Sequence, residues 1–255
     1  MNNIILITTL YNTESPERAE EFGKCLNINS ENRHIDKVIV FFETKDKPDF
    51  KKYPALYHKK AEIKIIRNRP TFKIFFDYAN KYLIGDYIII SNADIYFDND
   101  SNIELARKVK ENHLWTICRY NPESDGTWQL QGCGVIGSYD VWIFHSPIKD
   151  FENDFSVGAI GCDSYLSQKA VEASVFVSNP ALSVIAKHED KSERKNRNSY
   201  LDSEKHSYWN MPDYMKYSVS LYCASPSHIE DNRFLSNQSL RYNIKHRILE
   251  WLHLK

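Results

Sequence analysis

A row of oxygen-bearing side chains follows a short apolar segment in the first half of the chain. The segment Tyr87 to Ile90 is rich in β-branched residues, a pattern typical of a strand buried on both faces. Four such side chains come after it: Asn92, Asp94, Asp98 and Asp100. Hard cations such as Mg²⁺ and Mn²⁺ prefer carboxylate and carbonyl oxygens, together with phosphate oxygens. The spacing therefore predicts a cation site at the end of this strand, with a solvated turn as the alternative.

The segments that must position this row alternate between strand-like and helix-like patterns. Apolar runs predict strands over Ile4 to Leu10, Lys37 to Glu43 and Glu62 to Ile66. Ser15-Pro16 predicts a helix start, and that helix runs to about Leu26, while a second helix ends at Tyr82. This alternation is typical of an α/β fold with a Rossmann-like, mostly parallel sheet flanked by helices. Ligands bind at the carboxyl ends of strands in such sheets.

The remaining elements are predicted from the same patterns. Ser101 caps a helix over residues 102–111. A second helix runs from Asp163 to about Ala173. Further strands are predicted over Leu114 to Arg119, Ser138 to Phe144, Val175 to Val177 and Leu182 to Ala186.

Composition bounds the function further. The chain has 255 residues, 42% hydrophobic, which is enough for a sizeable core. The formal net charge of −1 argues against a nucleic-acid-binding protein. The five cysteines form no C-x-x-C pair, so we expect reduced, buried thiols and a cytoplasmic protein. No signal peptide is visible, and no apolar run approaches the ~20 residues of a membrane helix.

The segment Asn92-Ala93-Asp94 resembles the Asp-X-Asp motif of GT-A-fold glycosyltransferases, which transfer a sugar from a nucleotide donor. The resemblance covers about residues 3–195. It implies that Asp94 binds a divalent metal, Mn or Mg, and that Asn92, which lacks the charge of the usual acid, contacts metal or ribose. The resemblance places the nucleoside at the loop after the first strand, where the candidates are Thr9, Tyr11 and Asn12. Arg69, at a basic strand end, is a candidate diphosphate contact.

Two later residues match further positions of the resemblance. A glycine turn followed by Asp163 opens a helix, as the general base does in inverting GT-A enzymes. A helix N-cap is the alternative role for this residue. His188 follows the last predicted strand, where a late histidine completes the metal shell in many metal-dependent members.

The acceptor side is predicted between these motifs. Trp128 is a candidate platform for the apolar face of a sugar ring, with a core tryptophan as the alternative. Glu152 and Asp154 lie in a phenylalanine-rich loop before Asp163, and either is the next candidate for the base.

The chain divides into a catalytic domain over residues 1–198 and a C-terminal extension over residues 199–255. The extension ends in an amphipathic helical stripe with basic residues largely off it. The apolar positions are Leu240, Ile244, Ile248, Trp251 and Leu252. Packing within the protein, a homodimer contact and a peripheral location at the inner face of a membrane are the alternatives for this stripe.

The predicted function is a metal-dependent, inverting glycosyltransferase. Its partners are a nucleotide-sugar donor and a glycan or lipid-linked acceptor, as in surface polysaccharide synthesis, with no nucleic acid. A sugar-phosphate nucleotidyltransferase is a second possibility, although residues 9–16 contain none of the glycines that such enzymes carry after the first strand. A non-catalytic nucleotide- or carbohydrate-binding module is the third, because Asn92 carries no charge.

Overall fold

A seven-stranded sheet forms the centre of the molecule. The computed structural model describes residues 2–45, 50–131, 139–159, 161–189, 224 and 226–229. The sheet has the strand order β10-β6-β9-β4-β1-β2-β3, and only β9 runs antiparallel to its neighbours. The strands of this sheet are β1 (Ile4–Tyr11), β2 (Lys37–Glu43), β3 (Ala61–Ile66), β4 (Tyr87–Ser91), β6 (His113–Ile117), β9 (Val141–His145) and β10 (Phe176–Ser178). This mixed, mostly parallel α/β sheet confirms the predicted fold class.

The central strands are buried because they are apolar on both faces. The segments Ile4 to Ile7 and Ile88 to Ile90 are at most 3% exposed. Parallel pairing of β1 with β2 and β4 brings the carboxyl ends of these three strands to one edge. That edge positions the side chains that follow Tyr11 and Ser91.

In the described residues, three α-helices flank the sheet: α1 (Pro16–Glu31), α2 (Phe72–Tyr82) and α3 (Cys162–Glu172). The Ser15 hydroxyl accepts from the Arg18 N–H at 3.2 Å, so Ser15 caps α1 as predicted. Helix α1 extends past the predicted end at Leu26 to Glu31. Gly161 (φ 78°), and not Asp163, is the N-cap of α3.

A small second sheet, in the order β5-β11-β7-β8, lies at the strand ends. Its strands are β5 (Ile95–Tyr96), β7 (Arg119–Pro122), β8 (Trp128–Leu130) and β11 (Ala186–His188). Strand β11 pairs antiparallel with β5 and parallel with β7. Because β11 lies between these two strands, it joins three segments that are distant in the sequence.

Two predictions about elements are corrected. The predicted helix over residues 102–111 is a 3-10 helix over Ile103–Lys108, preceded by Asn102 with φ 53° rather than by a Ser101 cap. The predicted strand over Leu182 to Ala186 is a turn, followed by β11, so His188 lies inside a strand. The turn is closed by the Val184 N–H, which donates to the Pro180 carbonyl at 3.0 Å.

The expectation of reduced cysteines holds for only some of them. Cys25 and Cys162 are free and buried. Cys118 forms a disulfide bond, and its partner lies outside the described residues. The apolar neighbourhood of Cys118 predicted burial but carried no information about pairing.

Two residues near the C-terminus, Ala224 and Ser227, contact the α/β fold. The Ala224 N–H donates to the Tyr139 hydroxyl at 2.7 Å, and the Ser227 N–H donates to the Asn179 carbonyl at 2.8 Å. The predicted amphipathic helix, from Leu240 onward, lies outside the described residues. Within the described part of the chain, no helix is both long and apolar enough to cross a membrane.

Candidate functional site

The turn between β4 and β5 carries Asp94, and α1 holds this turn in place. The Asn29 amide donates to the Ile95 carbonyl and accepts from the Phe97 N–H, each at 2.9 Å. The Asn92 carbonyl accepts from the Ile95 N–H at 3.2 Å. Asp94 is only 5% exposed, so its carboxylate is fixed inside the protein and not in a solvated turn.

Two nitrogen-bearing side chains face the Asp94 carboxylate. Arg18 Nη2 donates to Oδ2 at 2.8 Å, and Arg18 Nη1 pairs with the buried Glu21 at 2.7 Å. His188 Nε2 lies 3.5 Å from the same Oδ2, longer than a well-formed hydrogen bond. Burial opposes ionisation of Asp94. The interactions with His188 in its protonated form and with Arg18 outweigh it, however, and hold the pKa of Asp94 well below its usual range.

The hydrogen bonds of Asn121 fix the tautomer of His188. Asn121 Oδ1 accepts from Arg119 Nε at 3.1 Å, which identifies this atom as the carbonyl oxygen. His188 Nδ1 lies 3.1 Å from the same oxygen, so Nδ1 carries the proton. In the neutral imidazole, Nε2 then keeps its lone pair, on the side that faces Asp94.

These contacts leave two buried ligand atoms side by side. Asp94 Oδ1 and His188 Nε2 have no hydrogen-bond partner among the described residues. A carboxylate oxygen and an imidazole nitrogen suit Mn²⁺, so the two atoms fit a cation as a partial ligand set. Within the described ranges, no three histidine, cysteine or acidic residues come together as a metal site. Phosphate oxygens and water are the ligands that would complete such a shell.

Asp140, which precedes β9, is a second buried carboxylate beside this pair. Its Oδ1 accepts from Asn92 Nδ2 at 2.8 Å and from Arg119 Nη1 at 3.1 Å. Its backbone carbonyl accepts from the Asn92 N–H at 3.0 Å. Burial raises the pKa of Asp140, against the opposing charge of Arg119, and the neighbouring charge of Asp94 raises it further.

Asp163, the predicted base, lies in the first turn of α3. Its Oδ2 accepts from the Tyr139 N–H at 2.8 Å, so residues 139 and 140 link it to the Asn92 turn. Burial raises the pKa of Asp163 to about 6, backbone N–H donors oppose this, and the charge of Asp140 adds to it. A carboxylate with this pKa is ionised at neutral pH and is a stronger base than an exposed aspartate.

Arg69 reaches the loop before α3. Its Nε donates to the Val157 carbonyl at 2.9 Å. The guanidinium lies against Gly158 so closely that a Cβ at that position would fall 2.7 Å from Nη2. The Arg69 side chain is otherwise exposed, which leaves the guanidinium accessible to an anion.

The predicted nucleoside contacts lie at the carboxyl end of β1. Thr9 is half-buried, while Tyr11 and Asn12 are exposed. The Tyr11 ring packs edge-on against Phe22 with centroids 5.5 Å apart, and Arg18 lies 4.6 Å over the same Phe22 ring. These residues therefore share the sheet edge with Arg18 and, through it, with Asp94.

The predicted acceptor contacts are more scattered. Trp128 lies in the small sheet, with Lys187 Nζ 5.2 Å from its ring centroid. Glu152 is exposed and pairs with Lys169 at 2.9 Å. Lys169 lies in α3, roughly 9 Å along the helix from Asp163. Asp154 is exposed in the same loop as Glu152. The structure thus gathers Asp94, His188 and Asn92 in one place, whereas Glu152 and Asp154 lie exposed in the loop before α3.

Three residues of the site are absent from the sequence-based prediction: Arg18, Arg119 and Asp140. Asp140 stands directly before an apolar run, as Asp94 stands directly after one, and that position was a usable signal. Arg18 and Arg119 lie among many other basic residues, and their partners are 76 and 21 positions away. Nothing local distinguishes them.

The comparisons with known proteins bear on the fold. No protein-family model matches the chain, and no curated protein matches it. Among solved structures, a mannosyltransferase from Pyrobaculum calidifontis, in complex with GDP-Man and Mn²⁺, is similar with a TM-score of 0.50 and 11% identity. The match covers 76% of this chain and 58% of that one, so the chain spans less than two thirds of that protein's length.

Two further solved structures are less similar. A 4-diphosphocytidyl-2C-methyl-D-erythritol synthase from Anaerococcus prevotii has a TM-score of 0.36 at 15% identity, over 56% of this chain and 71% of that one. A cytidylyltransferase from Leptospira borgpetersenii has a TM-score of 0.37 at 16% identity, over 57% and 61%. These two scores are too low to add to the argument. The mannosyltransferase match shows a shared Rossmann-like α/β fold, consistent with the GT-A arrangement.

Proposed function

We propose that this protein transfers a sugar from a nucleotide-sugar donor to a hydroxyl group of a glycan or lipid-linked acceptor. The observation that carries the proposal is the pair of buried, unpaired ligand atoms, Asp94 Oδ1 and His188 Nε2, at the carboxyl end of a central strand. In α/β sheets this is the edge where ligands bind. A mannosyltransferase solved with GDP-Man and Mn²⁺ shares the fold, which supports the same chemistry here.

In this proposal the donor lies across the sheet edge. Thr9, Tyr11 and Asn12 contact the nucleoside, and the exposed guanidinium of Arg69 contacts the diphosphate. Asp94 and His188 would hold Mn²⁺ or Mg²⁺. When bound, the cation supplies Lewis-acid stabilisation of the charge that develops on the leaving diphosphate.

Asp163 acts as the general base. The acceptor oxygen forms a bond to the anomeric carbon while the bond from that carbon to the diphosphate oxygen breaks, with inversion. The hydroxyl proton passes to the Asp163 carboxylate, whose raised pKa makes it a better acceptor. Trp128 is the proposed contact for the acceptor sugar, and Glu152 and Asp154 lie farther out on the acceptor side.

A donor screen tests this function directly. The full chain is incubated with a panel of nucleotide sugars and Mn²⁺, and release of nucleoside diphosphate is measured with and without glycan or lipid-linked acceptors. We expect release with one donor class, dependent on acceptor and on Asp94. Release of pyrophosphate from a nucleoside triphosphate and a sugar phosphate would instead identify a nucleotidyltransferase. Stabilisation by nucleotide sugars without any turnover would identify a binding module.

A further inference from the structure

The Asp-X-Asp-like turn lacks one carboxylate, and the structure places another carboxylate in contact with the position where it is missing. Asn92 stands where the motif usually has its first acid. Its amide donates to Asp140 Oδ1 at 2.8 Å, and its backbone N–H donates to the Asp140 carbonyl at 3.0 Å. Asp140 comes from the start of β9, which pairs with β4 so that Val141 lies opposite Ser91. The contact is therefore built into the central sheet.

Asp140 has one carboxylate oxygen that makes no hydrogen bond in the described part of the chain. This oxygen is Oδ2, and the residue is 4% exposed. A buried carboxylate oxygen without a partner is costly, and native proteins retain such groups where a ligand uses them. Asp94 Oδ1 and His188 Nε2 are in the same condition. Three buried, unpaired acceptor atoms thus lie in one neighbourhood: those of Asp94 and His188 would contact the cation, and Asp140 would act on it through its charge.

Each of the two buried carboxylates keeps one oxygen that its arginine does not contact. Arg119 contacts Asp140 through one oxygen only, at 3.1 Å, and Arg18 likewise contacts only Oδ2 of Asp94, at 2.8 Å. Each arginine therefore balances one carboxylate and leaves the other oxygen of that carboxylate open. Charges that face a low-dielectric interior act over several ångströms, so Asp140 can attract a cation without forming a direct bond to it.

We propose that Asp140 supplies the second negative charge of the cation site, in place of the acid that Asn92 lacks. This inference rests on the proposed function, because it assigns a residue to the same site. Compared with the usual motif, the carboxylate has changed places: the amide of Asn92 is on the turn, and the carboxylate of Asp140 directly precedes β9. Asp140 is an electrostatic residue here and not a third direct ligand, since no three such side chains converge in the described part of the chain.

The inference is tested by moving the carboxylate from one residue of this pair to the other, with Mn²⁺ alone as the probe. Free and bound Mn²⁺ are measured by electron paramagnetic resonance, without nucleotide, on the full chain. Asp140→Asn should weaken Mn²⁺ binding about tenfold or more, because one nearby charge is lost. The double variant Asn92→Asp/Asp140→Asn restores the carboxylate on the other side of the same hydrogen bond and should recover most of the affinity. Asp77→Asn, which removes an exposed carboxylate on α2, is the matched control and should bind as the wild type does.

Asn92→Asp alone covers the case in which Asp140→Asn fails to fold. It places two carboxylates in contact, so its melting temperature should fall without metal and rise more steeply with Mn²⁺ than that of the wild type. Four outcomes would each overturn the inference. The first two are wild-type Mn²⁺ affinity in Asp140→Asn and no recovery of affinity in the folded double variant. The others are no added Mn²⁺ response in Asn92→Asp and no Mn²⁺ binding by the wild type. Mn²⁺ binding that follows this pattern without sugar transfer would support the inference and count against the proposed function alone.

Discussion

At the residue scale, the site is a set of buried charges that depend on one another. The burial of the Asp94 charge is offset by Arg18 and, when its ring is protonated, by His188, and Arg18 in turn depends on Asp94 and Glu21. Breaking one member of such a set costs more than the pair itself contributes, because the remaining charge stays buried without a partner.

Asp94→Asn is therefore expected to weaken both cation binding and folding. The Arg18 side chain is 24% exposed, so we expect a loss of about 1–3 kcal/mol in the free energy of unfolding. Because folding lowers the pKa of Asp94, this residue stabilises the protein above its unfolded pKa of about 4, and that contribution is lost as the pH falls. Urea denaturation between pH 3 and pH 7 should show a smaller loss of stability on acidification for Asp94→Asn than for the wild type. Equal acid sensitivity would contradict the role assigned to Arg18 and His188.

Asp163→Asn separates the chemical role of Asp163 from its structural one. Turnover should fall about 10²-fold or more with donor binding nearly unchanged, since the variant cannot take the acceptor proton. Wild-type turnover should rise with pH through about 6, the pKa of Asp163, because the base must be ionised. Full activity in a folded Asp163→Asn protein would reduce this residue to a helix-terminal hydrogen-bond acceptor.

The same variant has a thermodynamic readout. The pKa of Asp163 is raised from the usual 3.8 to about 6 in the folded state. Asp163 therefore stabilises the fold fully below pH 3.8, and this stabilisation is lost as the pH rises through about 6. The variant cannot titrate there. Its stability should therefore fall less than that of the wild type between pH 4 and pH 6 in matched denaturation curves.

At the element scale, Gly158 couples the loop before α3 to Arg69. This glycine has φ +73°, and its missing side chain leaves room for the guanidinium. Gly126 has a similar φ of +84°, but nothing lies within 4 Å of the place of its Cβ. The two positions therefore share the backbone strain of a left-handed conformation and differ in the contact.

Gly158→Ala should weaken donor binding more than Gly126→Ala does. Both variants carry a strain of about 1–2 kcal/mol from the left-handed backbone, so the difference between them reports the displacement of Arg69. Donor affinity by calorimetry and unfolding by urea measure the two effects. If both variants bind the donor equally well, Arg69 has no part in diphosphate binding.

The strands of the main sheet could be predicted because the residues of each strand specify it without reference to distant segments. Short, β-branched apolar runs such as Ile4 to Ile7 are typical of a doubly covered strand. Strand β11 could not be predicted, because Ala186 to His188 is a strand only through pairing with β5 and β7. The predicted helix at residues 102–111 failed because Asn102 adopts φ 53° and the following turn tightens to a 3-10 helix.

At the scale of the whole molecule, ligands should act on global stability. A ligand present at 100 times its Kd stabilises the folded state by about 2.7 kcal/mol, which corresponds to a rise in Tm of about 5–10 °C for a chain of this size. We expect that rise for the correct nucleotide with Mn²⁺. His188→Ala should respond to the nucleotide with a smaller gain on adding Mn²⁺, whereas an identical gain would remove His188 from the cation site.

The antiparallel strand β9 has a consequence for synthesis on the ribosome. Strand β4 can pair with β1 as soon as both have emerged, but its other edge waits for residues 141–145. At about 5–20 residues per second, the nascent chain presents the unpaired edge of an almost wholly apolar strand for several seconds. An open edge of that kind is a template for pairing with other chains. Translation arrest between β4 and β9 should therefore yield chains that aggregate or bind chaperones, whereas arrest after β9 has left the exit tunnel should yield chains in which that edge is closed.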